Sequence, residues 1–228
     1  QNFKKKITYN KQFIDKSDIN LVSKSLKSKF ITTGEYVNSF EKKITQKFKS
    51  KFAFSCNSGT AALHLAFLSI GLKKNDVVLM PAVNFISSYS MANFLGAKIF
   101  LVDVDSKTGQ LTPEKILECI KLNKIKKIKV IVSMYLGGYV KNNINFFKLK
   151  KKLNCFLIED ACHAIGAKYK VNNKKYYIGS CKHSDICTFS FHPVKTITTG
   201  EGGAITTNSN LIADKIKKFR NHGIIKNS

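Results

Sequence analysis

A chain of 228 residues with 43% hydrophobic side chains can bury one good-sized core, enough for one domain or a domain and a half. Its formal charge of +25 comes almost wholly from lysine, with Arg220 the single arginine, and specific nucleic-acid readers lean on arginine for bidentate contacts. The lysines are scattered through every segment, so they read as a compositional bias on a solvated surface, giving solubility and non-specific attraction to polyanions.

Six cysteines, Cys56, Cys119, Cys155, Cys162, Cys181 and Cys187, form no C-x-x-C pair. Neither Cys162-His163 nor Cys181-Lys182-His183 fits a standard ligand spacing, so no metal site is expected. Free thiols in a reducing cytoplasm are the expectation. No signal peptide and no long apolar run is read, so no membrane partner is expected. The chain begins at Gln1 rather than Met and reads as a piece of a longer protein.

Taken in order, Ile7 to Tyr9 reads as extended. Asp15 to Lys29 places Ile19, Val22 and Leu26 at helical spacing, with Ser17 or Asp18 as the cap. Thr32 to Gly34 is a turn, and Val37 to Phe48 reads as a second amphipathic helix with Phe40, Ile44 and Phe48 on one side. From Phe52 short apolar runs recur: Phe52–Cys56, Val77–Met80, Ile99–Val102, Val130–Met134, Phe156–Glu159, Asp185–Phe191 and Ala204–Thr207. Helical patterns at Thr60–Ile70, Phe85–Leu95, Pro113–Ile120 and Phe146–Leu153 separate several of them, and Leu211–Phe219 reads as a last helix. Strands alternating with helices predict an α/β fold with a mostly parallel central sheet flanked by helices. Residues 1–50 are read as a helical N-terminal segment and 51–228 as the main domain. Ligands of such sheets bind at the carboxyl ends of the strands.

Four strand ends carry chemistry. The stretch from Thr188 to Gly203 runs from a strand through Pro193 and Lys195 to a glycine turn. A lysine held there out of bulk water can be neutral and attack a carbonyl; taken alone, it reads first as a surface lysine. At Asn57 to Ala62 the start of a helix can bind phosphate through Ser58, Gly59, Thr60 and Ala61, or Ser58 can be a simple cap. Asp160 follows a buried strand, where a carboxylate is costly unless paired; it could hold a protonated pyridine nitrogen or cap a helix. Phe85 could stack on a flat cofactor or pack in the core. Together the four fit one cofactor, pyridoxal 5′-phosphate: helix start on phosphate, Phe85 on a ring face, Asp160 on the ring nitrogen and Lys195 as the covalent anchor.

With those residues in place, the chain resembles the DegT/StrS-type aminotransferases, fold-type-I pyridoxal-phosphate enzymes that act on nucleotide-linked keto-sugars. The matching motifs are Asn57–Leu63 (NSGTAAL), Glu159–Gly166 (EDACHAIG), Phe189–Lys195 (FSFHPVK) and Ile197–Gly203 (ITTGEGG). With Gly179–Asp185 and the opening from Ile7 to Thr32, the wording is most similar to the branch that makes a 4-amino sugar precursor of pseudaminic acid. Perosamine-type and aminoarabinose-type transaminases are the alternatives; a basic polyanion-binding protein is the alternative of a different class.

The resemblance implies further roles. Ser190 would add a phosphate contact, and His163 would lie at the cofactor ring. Tyr9, Lys29, Phe30, Ile31, Thr32 and Ser58 would lie near the sugar. Glutamate would be the amino donor, and the enzyme would be a homodimer. A smaller C-terminal domain would follow residue 228. The segment Ser133–Val140 departs from the pattern, with Tyr135 and Tyr139 where relatives often carry His and Gln.

Overall fold

The computed structural model describes residues 10–224. Two helices come first, α1 (Lys16–Leu26) and α2 (Glu35–Phe48). The alternating part follows: β1 (Phe52–Cys56), α3 (Gly59–Ser69), β2 (Val77–Pro81), α4 (Ser87–Phe94), β3 (Lys98–Val102), α5 (Pro113–Leu122), β4 (Val130–Met134), α6 (Asn143–Leu153) and β5 (Phe156–Asp160). A small hairpin, β6 (Lys168–Val171) and β7 (Lys174–Tyr177), precedes β8 (Ile186–Ser190), β9 (Gly203–Thr207) and α7 (Asn210–Arg220).

The central sheet has seven strands in the order β1-β9-β8-β5-β4-β2-β3. Pairings from β8 through β5, β4 and β2 to β3 are parallel, while β9 runs antiparallel to both its neighbours. The reason lies in the connections. Returning in parallel takes a long crossover, usually through a helix, and residues 191–202 between β8 and β9 contain none. Six strands therefore point the same way, and β9 enters from the end where they finish.

Both faces are covered, which is why the strands read as continuous apolar runs instead of alternating ones. On one face Leu63, Phe67 and Ile216 of α3 and α7 pack on Val78, Val132, Ile158, Ile186 and Ile205. On the other, Ile116, Phe146 and Leu149 of α5 and α6 cover Leu79, Ile131 and Leu157. Beside them Ile44 and Phe48 of α2 join Phe189 and Phe191, with the Phe48 and Phe189 rings stacked at 4.9 Å. Leaving each face at about 25 cal/mol per Å² of apolar area, water is the main driving force for this layering.

Three local expectations change. Helix α1 is capped by Asp15, neither by Ser17 nor by Asp18: Asp15 accepts from the Ser17 and Asp18 N–H groups while Asp18 accepts from Asp15 N–H, a reciprocal box. Its apolar residues Ile19, Val22 and Leu26 keep helical spacing but are all more than half exposed, so no described residue covers that face. The β6–β7 hairpin was masked by its lysines. It turns through Asn172 and Asn173, both at positive φ, the conformation a tight hairpin demands and asparagine tolerates. Among the described residues no helix is long and apolar enough to cross a membrane.

Candidate active site

The carboxyl ends of β1, β2, β4, β5 and β8 open onto one cleft of about 580 Å³. Each strand end delivers part of its lining. Ser58, Gly59 and Thr60 come from the β1–α3 junction, Phe85 from the β2–α4 loop, Asp160 and His163 from β5 onward, and Ser190 and Lys195 from β8 onward. Residues spread over more than 130 positions meet because parallel strands bring all their exits to the same end.

The start of α3 lies against β5 and β8. Ser58 caps it, its Oγ accepting from Ala61 N–H at 3.1 Å. Ser58 is therefore both a cap and part of the cleft wall, while Ala61 does not line the cleft. Gly59 permits the close approach: a Cβ there would fall 2.8 Å from Ser190 Cβ and 3.1 Å from Cys162 Sγ. Gly203 serves the same end from β9, where a Cβ would come within 2.3 Å of the Ser58 carbonyl oxygen. That glycine is needed for packing, whereas Gly200, at φ 76°, is needed for the bend.

Asp160 is only 3% exposed. No helix follows it, so it is not a helix cap. Its Oδ1 accepts from Cys162 N–H at 3.1 Å. Burial pushes its carboxyl up; the hydrogen bonds from Cys162 and the charges of His163 and Lys195 pull it back. His163 Nδ1 accepts from Gly137 N–H at 3.3 Å, and burial together with Lys195 pushes this imidazole down. Burial and the neighbouring Asp160 push the Cys162 thiol well up.

Lys195 is half-buried on a turn whose N–H bonds to the His192 carbonyl at 2.8 Å. The turn is stiffened at its base. Phe191 N–H bonds to Gly202 O, and Phe191 O accepts from Thr199 N–H and Thr198 Oγ1. Phe85 is 66% exposed, which rules out a place in the core and leaves a ring face free in the cleft.

Not every expected residue arrives. Lys29, Phe30, Ile31 and Thr32 lie on the exposed stretch between α1 and α2 and do not line the cleft. Tyr9 lies outside the described residues. The cleft also takes Asn84, Leu136, His192 and Glu201, which had not been singled out. Asn84 stands beside Phe85 and holds the loop, donating to Ser88 Oγ at 2.9 Å and accepting from Phe85 N–H. Leu136 carries no polar group, and only its place after β4 pointed to it.

A mostly parallel sheet with a serine-capped helix start, a buried carboxylate and a turn-borne lysine at its strand ends is the large-domain fold of fold-type-I aminotransferases. The chain belongs to the DegT/DnrJ/EryC1/StrS aminotransferase family, whose model matches residues 12–228. It is 39% identical over 220 residues to the UDP-4-amino-4,6-dideoxy-N-acetyl-beta-L-altrosamine transaminase of Campylobacter jejuni, covering 96% of this chain and 56% of that protein. It is 35% identical over 204 residues to the GDP-perosamine synthase of Escherichia coli O157:H7, covering 89% and 53%. Among solved structures it is similar to PseC of Helicobacter pylori, an aminotransferase involved in the biosynthesis of pseudoaminic acid. That match has a TM-score of 0.86 and 27% identity over 98% of this chain and 58% of the other. The chain spans about half the length of the curated relatives it matches.

Proposed function

We propose that this chain carries the cofactor-binding part of a pyridoxal-phosphate aminotransferase, acting in the cytoplasm as a homodimer. Its reaction would move an amino group from glutamate to C4 of a nucleotide-linked 4-keto-6-deoxy sugar, on the way to pseudaminic acid or another surface glycan. Residues 51–228 are the binding unit, with 1–50 leading into it. The observation that carries this reading is the meeting of Ser58, Asp160, Ser190 and Lys195 at one cleft.

The donor set fits the cofactor. The first N–H groups of α3 and the hydroxyls of Ser58, Thr60 and Ser190 suit a phosphate. Gly59 keeps the floor of this cradle free of a side chain, since a Cβ would meet Ser190. Asp160 is a buried carboxylate reaching an open cleft, which suits a protonated ring nitrogen. Phe85 offers an exposed ring to a planar partner.

When bound, pyridoxal phosphate would supply an electron sink for the carbon that exchanges its amino group. The residues do the rest. Asp160 keeps the ring nitrogen protonated by charge. Lys195 would hold the cofactor's aldehyde end through Nζ, and the same amine, when free, would carry a proton to and from the substrate carbon. Ser58, Thr60 and Ser190 hold the phosphate end so that the reacting end keeps its orientation.

Relatives named for perosamine and aminoarabinose chemistry, at 35% and 32% identity, support a second reading in which the sugar or nucleotide differs. The test is a panel of UDP- and GDP-linked 4-keto sugars with glutamate as donor, followed by mass of the amino-sugar product. Turnover of a UDP-linked 4-keto-6-deoxy N-acetylated sugar above the others supports the first reading. For the full-length protein, a preference for a GDP-linked sugar or for a UDP-linked 4-keto pentose supports the second, and no transfer to any of them overturns both.

A further inference from the structure

Glu159 precedes Asp160 on β5 and faces the opposite side of the sheet. It is 3% exposed, and its carboxylate is held from three places. Oε1 accepts from the Tyr135 hydroxyl at 2.5 Å and from Asn143 Nδ2 at 3.0 Å, and Oε2 from Ser184 Oγ at 2.8 Å. Asn143 also donates to the Tyr135 oxygen at 2.6 Å. Tyr135 itself is 2% exposed. A buried carboxylate is a poor device for stability alone, because well-packed apolar groups do as well or better.

What the network holds is legible from where Tyr135 leads. It is the last residue before the turn at Leu136–Gly138. Gln110, also buried, donates from Nε2 to the Leu136 carbonyl at 3.0 Å, gripping the turn from a second side. Gly138 presses on the far wall, where a Cβ would fall 2.7 Å from the His163 carbonyl oxygen. Clamped in this way, the turn delivers Gly137 N–H to His163 Nδ1. A backbone N–H only donates, so Nδ1 must be the bare nitrogen, and the neutral ring carries its proton on Nε2.

We infer that Glu159, Tyr135 and Gln110 are positioning residues that act through the 136–138 turn to fix His163 as an Nε2–H hydrogen-bond donor in the cleft. The inference rests on the cleft being the cofactor site, since the acceptor for that proton belongs to the group bound there. His163 is thereby kept from serving as a base through Nδ1. Glu159 contributes one step removed: its Oε1 sets where the Tyr135 hydroxyl sits, and Tyr135 sets where the turn begins.

The experiment is nitrogen-15 NMR of histidine-labelled full chain, free of cofactor, with the His163 signals assigned by His163→Gln. Wild type should show a single tautomer with Nδ1 unprotonated. Tyr135→Phe and Gln110→Ala should each move His163 toward a mixture. Ser184→Ala, which removes a donor to the same carboxylate without touching the turn, should leave it unchanged. Glu159→Ala, which removes the acceptor of the Tyr135 hydroxyl, should move it as Tyr135→Phe does, and an unchanged tautomer there would remove Glu159 from the inference; Glu159→Gln should retain the wild-type pattern, since its amide oxygen still accepts from Tyr135. With cofactor and substrates, Tyr135→Phe should lower kcat roughly 10-fold at unchanged KM, the scale of outer-shell losses. A wild-type His163 protonated on Nδ1 would overturn the inference. So would an unchanged tautomer in both Tyr135→Phe and Gln110→Ala, and Gln110→Ala alone decides if Tyr135→Phe does not fold. Failure of pyridoxal phosphate to bind wild type with the tautomer intact would sink the cofactor reading instead.

Discussion

Asp160 and Glu159 are neighbours on one strand, equally buried, and opposite in situation. Burial pushes both carboxyls up. Glu159 meets side-chain donors at both oxygens and has no access to the cleft. Asp160 has a backbone donor on one oxygen and reaches the cleft. Buried polar groups are normally satisfied, so the incompletely satisfied carboxylate marks the face where a partner is to come. The satisfied one belongs to the frame. The β5 end thus separates a binding face from a holding face over a single residue.

The largest effects are expected on the open face. Lys195→Ala should abolish amino transfer while changing folding stability by less than about 0.5 kcal/mol, since the residue sits on a turn outside the core. Steady-state turnover and a denaturant melt check the two halves; persistent turnover would remove Lys195 from the chemistry.

Asp160→Asn should slow transfer by ~10²–10⁴-fold, because a neutral amide cannot keep a ring nitrogen protonated. The cofactor-free protein should respond in the opposite sense. A carboxyl whose folded pKa is raised lends stability below its unfolded pKa and loses it as pH rises through the folded value. Asparagine has no such loss, so at neutral pH the variant should be more stable, with a flatter decline above pH 4. Melts across pH 4 to 8 would show it; a variant less stable at pH 7 would mean that Asp160 is already well paired without cofactor.

On the closed face the pattern should invert. Glu159→Ala leaves Tyr135, Asn143 and Ser184 without their acceptor, and should cost about 2–4 kcal/mol of stability. A denaturant midpoint within error of wild type would show that the network is dispensable. The smallest effect is expected at the rim, where Phe85→Ala should weaken cofactor affinity by about 1 kcal/mol, or roughly fivefold, through lost ring contact. Titration by fluorescence would measure it, and an unchanged affinity would make Phe85 a surface residue only.

Much of this was legible in the sequence because it was local. The strand exits read at Cys56, Glu159 and Phe191, within one residue of the observed ends, and the glycine-rich turn announce themselves by residue type and spacing. Phe85 was ambiguous, since stacking and core packing ask for the same side chain, and only its exposure separates them. The Glu159 network was hidden for a different reason. Its members lie just after β4, on α6, on β5 and in the loop before β8, and no sequence interval links Tyr135 to Ser184. The reversed direction of β9 was likewise a property of the connection, visible only as a missing helix between residues 191 and 202. Helix α1 taught the converse: its apolar spacing was read correctly, yet its face meets none of the described residues.

Binding of pyridoxal phosphate in this cleft through Lys195 can be measured without any substrate. The protein is incubated with pyridoxal phosphate, reduced with borohydride, digested, and the tagged peptides are identified by mass. Many other lysines are available on this surface, with a formal charge of +25, so the experiment carries its own control. One dominant tag is expected, on Lys195, which disappears in Lys195→Ala and weakens in Asp160→Asn. Tags spread evenly over surface lysines, or a dominant tag elsewhere, would contradict it.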